Sequence, residues 1–232
     1  MRVLDEEKRL NVLYEDEDIV AVAKPQGVLS EDAGAGSLPA LLKESFGFGE
    51  IYPIHRLDKP TGGAIVYAKT RESAAALSAA VSAREMRKVY LAVVCGRPTE
   101  PSGRLTDFLY HDKRQNKVFT VRTERKGAKE AILDYETVGT VGYRDGELSL
   151  LRVTLLTGRT HQIRAQFASR RLPVFGDRRY GSKESLPSGA IALWSHELSF
   201  PLLSGERKIV VSEPPNTLPW VLFRAFQKNN DL

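Results

Sequence analysis

Between residues 89 and 156 the chain offers five strand candidates in succession and no helix between them, at 89–94, 104–109, 117–123, 130–138 and 147–156. Strands that follow one another so closely pair antiparallel, because parallel neighbours need a crossover of a dozen residues or more, usually a helix. The pattern argues against a doubly wound sheet. It predicts an α+β fold, a mixed and mostly antiparallel sheet flanked by helices.

The flanking segments fit that frame. Two short strands, 12–14 and 19–23, enclose the acidic turn at Glu15, Asp16, Glu17 and Asp18. Ser37 is placed to cap a helix running through Phe46, with Pro39 tolerated in its first turn. Residues 47–60 read as a loop and 63–68 as a strand. Thr70 is placed to cap a helix over 71–83, whose apolar Ala74, Leu77 and Val81 recur at helical spacing. A further helix is predicted over 160–169 with Ile163 and Phe167 on one face, late strands over 190–193 and 208–211, and a terminal helix over 219–227. No repeat and no linker rich in Pro, Gly or Ser divides the chain, so a single catalytic domain over 1–232 is expected.

Composition narrows the class. The 232 residues are 42% apolar and 27% charged, which suits a folded domain and not a disordered chain. No apolar run approaches a membrane span and no secretory leader is recognisable, so no membrane partner is expected. The lone Cys95 can form no internal disulfide, and one cysteine with four scattered histidines matches no zinc spacing. A reducing cytoplasm, no metal and a monomer are the expectations. The net charge of +5 is concentrated in three clusters: Arg84, Arg87 and Lys88; Lys113, Arg114, Lys117, Arg122, Arg125 and Lys126; and the arginines from Arg152 to Arg179. Such patches hold a polyanion through counterion release, although any one of them alone reads as a solvated face.

Three short segments concentrate chemistry. His55-Arg56-Leu57-Asp58-Lys59-Pro60-Thr61-Gly62-Gly63 puts a carboxylate, two cations and a histidine in a loop that enters a strand. Loops anchored by a strand are where catalytic groups are held, though an aspartate there also suits plain turn chemistry. Thr157-Gly158-Arg159-Thr160-His161-Gln162-Ile163-Arg164 gathers donors near a helix N-terminus, which suits an anion. Arg164 could meet a carboxylate in bidentate fashion or simply face solvent. Arg87-Lys88-Val89-Tyr90 brings a basic pair and a ring to the mouth of a strand, where Tyr90 could equally be an ordinary core aromatic.

Taken together and in this order, the segments resemble the RluA-type family of pseudouridine synthases. The family's Lys-Pro-x-Gly matches Lys24-Pro25-Gln26-Gly27, its His-Arg-Leu-Asp matches His55 to Asp58, its Lys-x-Tyr matches Lys88-Val89-Tyr90, and its Gly-Arg-x-His-Gln-Leu/Ile-Arg matches Gly158 to Arg164. Gly176-Asp177 and Tyr180-Gly181 match a further loop. Gly62 stands where the family usually has serine, and Leu193 to Phe200 follows the family's late motif loosely. No N-terminal S4-type domain is expected before Val12.

The resemblance implies a pseudouridine synthase-like fold with a central catalytic cleft, and an enzyme that isomerises uridine to pseudouridine in RNA without a cofactor. It implies that Asp58 is the essential carboxylate, attacking ribose C1′ or removing a C2′ proton, that Arg164 is its ion-pair partner, and that Tyr90 stacks on the flipped uracil. Ile163 is expected to wall the base pocket and Arg56 to fill the space the base leaves, with His55, Arg159, His161 and Gln162 as further substrate-binding residues. Asp177 and Tyr180 are expected to order their loop. The substrate is expected to be a stem-loop in tRNA or rRNA, where unpaired bases can be read. Two other readings remain: an RNA-binding protein that keeps the fold without the chemistry, and an aspartate-dependent hydrolase, which lacks a second carboxylate at a convincing spacing.

Overall fold

The computed structural model describes residues 10–229, and the chain falls into two compact units. The first comprises the chain up to Met86 together with Glu197–Glu213; the second comprises Arg87–His196 and the chain from Pro214 onward. In chain order the elements are β1 (Asn11–Glu15), β2 (Ile19–Lys24), α1 (Leu38–Phe46), β3 (Tyr52–Pro53), β4 (Gly62–Ala68) and α2 (Arg71–Ser82), then β5 (Arg87–Cys95), β6 (Ser102–Asp112), β7 (Lys117–Val121), β8 (Ala128–Tyr143), β9 (Gly146–Leu155) and α3 (Gln162–Ser169), and last β10 (Leu193–Pro201), β11 (Arg207–Val211) and α4 (Arg224–Asn229). The boundary between the units falls inside β10.

In the first unit, β1, β2 and β4 pair antiparallel in that order, with β3 on the end of β4 and β11 on Glu197–Pro201 of β10. Every residue of β4 is buried. Ala64, Val66 and Ala68 face Leu77 and Ala80 of α2 in a core that also takes in Ile19, Leu198 and Phe200. The alternate residues Ile65 and Tyr67 are fully buried as well, so the strand is covered on both sides and reads as a continuous apolar run. Burying Leu77 alone stabilises the unit by roughly 2 kcal/mol. Helix α2 starts where Thr70 predicts: Thr70 Oγ1 accepts from Ser73 N–H at 3.1 Å, and Ser73 Oγ accepts from Thr70 N–H at 3.4 Å. This reciprocal cap satisfies donors that the first turn leaves open.

The second unit is the strand-rich stretch that dominates the sequence. Its order is β5-β9-β8-β6-β7, all antiparallel. β8 runs 16 residues, well beyond the expected 130–138: Val138 bulges out between Thr137 and Gly139, and Gly139 resumes the ladder opposite Leu150. The ring of Phe226 lies on that glycine, and a Cβ added there would sit 2.6 Å from it.

Other boundaries move for local reasons. The helix expected from Thr160 begins at Gln162, because His161 adopts a left-handed φ of 49°. The strand expected over 190–193 lies at Leu193–Pro201. It is masked in sequence by Ser195, His196 and Ser199, all buried, while Ala190 follows a turn in which Ser188 has a φ of 54°. The two-residue β3 interrupts the expected loop 47–60, and the terminal helix is a 3-10 turn, Trp220–Phe223, followed by α4. None of the helices among the described residues is long and apolar enough to cross a membrane.

Gly139→Ala should be destabilising. A methyl group driven into the Phe226 ring should cost about 1–3 kcal/mol, read as a lower denaturant midpoint with an unchanged slope.

Candidate active site

In the first unit the Asp58 loop is held by residues 24–30. The Lys24 side chain is fully buried, and its Nζ donates to the carbonyls of Pro25 at 2.9 Å, Val28 at 2.8 Å and Lys59 at 3.4 Å. Gly27 N–H donates to the same Lys59 carbonyl at 2.8 Å, and Gln26 Nε2 donates to Pro60 O at 2.9 Å. On the other side of Asp58, buried Ser30 brackets Leu57: its Oγ donates to Leu57 O at 2.9 Å and lies 3.1 Å from Leu57 N–H. Tyr67 Oη donates to Ser30 O at 2.8 Å, tying the bracket to β4. Thr61 N–H closes the turn onto Asp58 O at 2.9 Å. The half-buried Asp58 is thus fixed at both neighbours. Arg56 is exposed and pairs with Glu31 at 3.2 Å, and His55 Nε2 accepts from Val66 N–H at 3.3 Å.

Electrostatics follow the geometry. Burial pushes the Lys24 ammonium down to about 7, and the charge of Asp58 opposes that shift. Three carbonyls around Nζ favour the protonated form, since the ammonium has three donors to give.

In the second unit Tyr90 lies on β5 opposite Val153 of β9 and is buried. Burial also lowers the pKa of its neighbour Lys88. Arg164, on α3, is buried against Asp177: Nε donates to Oδ2 at 2.6 Å and Nη2 to Oδ1 at 3.0 Å. Its guanidinium carbon lies 5.0 Å from the centre of the Tyr180 ring. The Tyr180 hydroxyl accepts from Val118 N–H at 2.8 Å and is 2.9 Å from His161 Nδ1. Gln162 is buried, and its amide serves the loop: Oε1 accepts from Thr157 Oγ1 at 2.8 Å and from Arg159 N–H at 3.0 Å, while Nε2 donates to Ile132 O at 3.1 Å. Ile163 is buried beside it.

Arg159 Nε donates to Glu130 O at 2.9 Å, and the residue lines a cavity of about 800 Å³ in this unit. Its other basic walls are Lys113 and Arg114 at the tip of the β6–β7 hairpin and Lys129 on β8. Asp112 pins that tip by accepting from Arg114 N–H at 2.9 Å and Gln115 N–H at 3.3 Å. Four cations and one carboxylate, already engaged by the turn, make the cavity suited to an anionic chain. Among the described residues no cluster of His, Cys, Asp and Glu could hold a metal ion.

Residues 18–169, which contain the Asp58 loop, Tyr90 and the Arg164 helix, match the family described as RNA pseudouridylate synthase. The chain belongs to that family, and with it to the enzymes that isomerise uridine to pseudouridine in RNA. It is 32% identical over 95% of its length to the ribosomal large subunit pseudouridine synthase D of Borreliella burgdorferi, of which it covers 70%. Identity to an uncharacterized RNA pseudouridine synthase of Aquifex aeolicus is 38% over 76% of the chain, and to the tRNA pseudouridine synthase C of Vibrio vulnificus 28% over 94%. The chain spans 57% of the Aquifex protein and 96% of the Vibrio one. The fold is shared with human RNA pseudouridylate synthase domain containing 1, at a TM-score of 0.78 and 23% identity over 95% of this chain and 89% of that one.

The synthase loops depend on residues that carry no chemical signature in the sequence. Ser30 belongs to no motif, and its bracketing of Leu57 joins positions 27 residues apart. Lys24 lies in a motif matched by sequence, but its full burial is visible only in the fold; the signal was a lysine ending an otherwise apolar strand.

Lys24→Met should loosen the Asp58 loop and lower RNA isomerisation at least tenfold. The stability difference has a definite sign with pH. An ordinary lysine near 10.4 when unfolded and near 7 when folded binds more protons unfolded throughout that window, so its contribution rises with pH. Between pH 7 and 9 the stability of the wild type relative to Lys24→Met should therefore increase, on the order of 2 kcal/mol, measured by urea unfolding at both values.

Proposed function

We propose that this synthase acts on specific uridines in a structured RNA, a stem-loop of tRNA or rRNA, with Asp58 as the essential carboxylate. The observation that carries this reading is the double clamp on the Asp58 loop, Lys24 on one side and Ser30 on the other. A carboxylate that must reach ribose C1′ or the C2′ proton gains from a fixed position, because misplacement by an ångström costs orders of magnitude in rate. Relatives similar over nearly the whole chain carry both ribosomal and tRNA names, which supports either RNA as substrate.

The reading assigns roles to residues of each unit. Asp58 performs the carboxylate chemistry, Tyr90 stacks on the extruded uracil, Ile163 walls the base and Arg164 supplies the balancing cation. Arg56 enters the stack the uracil leaves, at a cost of a few kcal/mol for extrusion that is lower in a loop than in a helix. Arg159 and the basic cavity hold phosphates. His161 and Gln162 shape the loop from which Arg159 projects, and His55 supports the Asp58 loop through Val66. Breaking one C–N bond and forming one C–C bond leaves the oxidation state unchanged, so no cofactor is needed. The enzyme works as a monomer in the cytoplasm.

Asp58→Asn should abolish conversion, lowering it at least ~100-fold, when total RNA from cells lacking the protein is incubated with purified enzyme and mapped for pseudouridine. A wild type inactive on that RNA would favour the RNA-binding protein without chemistry. Reversing charge at the cavity, Lys113→Glu with Arg114→Glu, should weaken RNA binding evenly across sequences. It should also reduce the slope of log K against log salt by roughly 0.7–0.9 for each phosphate no longer neutralised.

A further inference from the structure

Three observations converge on the loop that follows α3. The Asp177 carboxylate takes the Nε–Nη2 edge of Arg164 in a bidentate pair, and both side chains are at most 5% exposed. The Tyr180 ring packs against the guanidinium. The Tyr180 hydroxyl accepts the β7 amide of Val118 and bonds His161, the residue whose left-handed backbone starts α3. The two residues sit at either end of a single 3-10 turn, Arg178–Tyr180 with Asp177 as its cap, closed by Tyr180 N–H to Asp177 O at 3.0 Å and Ser182 N–H to Asp177 O at 3.1 Å. An arginine side chain has four rotatable bonds, and a planar fork fixed on one edge and one face keeps a single orientation.

We infer that Asp177 and Tyr180 are positioning residues for Arg164, forming a rigid socket that sets the direction in which the guanidinium acts, and that Tyr180 anchors this socket to β7 and to the start of α3. The inference rests on the assignment of Arg164 to the catalytic centre. The carboxylate holds one edge of the fork, so the socket fixes the direction of the remaining N–H donors and of the charge they carry. The Tyr180 ring packs on the Arg164 guanidinium, while its hydroxyl bonds Val118 N–H and His161. Removing the oxygen therefore leaves packing and ring contact in place and releases the anchor.

The test is a double-mutant cycle of Tyr180→Phe and Arg164→Lys, with single-turnover conversion and RNA affinity measured on total RNA from cells lacking the protein. Tyr180→Phe should lower the conversion rate about tenfold and leave the dissociation constant within about twofold. In the Arg164→Lys background, where no planar fork remains to be aimed, the effect of Tyr180→Phe should fall to less than twofold. Equal effects in both backgrounds, or an unchanged rate for Tyr180→Phe alone, would overturn the inference. If Arg164→Lys itself keeps the full rate, the assignment of Arg164 fails first and the inference with it. Asp177→Asn, which cannot offer two acceptor oxygens, gives a second cycle with the same expected non-additivity. If Tyr180→Phe loses its cooperative unfolding transition, this second cycle decides, and equal effects there overturn the inference.

Discussion

An ammonium group taken out of solvent must give its three N–H donors to protein acceptors, and Lys24 gives them to the carbonyls of Pro25, Val28 and Lys59. The first two belong to the turn that leaves β2; the third belongs to the residue after Asp58. One side chain therefore sets the separation of two loops that are distant in sequence, and the position of Asp58 depends on it. β2 and β4 supply the rigid base, with Lys24 opposite Gly63 in the ladder. Gly63 has a φ of 108°, a conformation open to glycine at little cost, and the chain can turn there from the Asp58 loop into the strand.

The second unit solves a related problem by other means. Its buried cation, Arg164, is balanced by Asp177. Breaking such a pair by removing one partner leaves an uncompensated buried charge, at a cost of about 3–5 kcal/mol. The pair is thus a strong constraint on the loop from Gly176 to Ser182 even where its net contribution to stability is small. Gly176 makes the approach possible: its φ is 87°, and a Cβ there would meet Ala190 O at 3.0 Å.

Much of this was legible in the sequence because the informative features are local. The caps Ser37 and Thr70, the helical spacing in α2, the apolar run of β4 and the succession of strands from β5 to β9 all follow from neighbours within a few positions. What escaped is long-range. β10 is polar in sequence at Ser195, His196 and Ser199, and it is a strand because tertiary burial overrides propensity. β8 passes through Gly139, which pairs with Leu150 and is covered by the Phe226 ring. The motif segments marked where chemistry could sit, but the supporting residues, Ser30 under Leu57 and Tyr180 beside Arg164, are defined by partners far along the chain. Gln162 shows the same limit: its Oε1 accepts from Thr157 and Arg159 in the loop before α3, and its Nε2 donates to Ile132 O on β8.

The two buried cations also differ in what they can offer. Lys24 is surrounded by neutral carbonyls, which satisfy its donors without cancelling its charge, and its attraction to Asp58 survives in a medium that screens poorly. Arg164 is matched by a full carboxylate on one edge of its fork, and that pair fixes the direction of the guanidinium. With burial pushing its ammonium down to about 7, Lys24 holds its charge beside Asp58 at and below neutral pH, whereas Arg164 keeps a fixed direction through its bidentate pair.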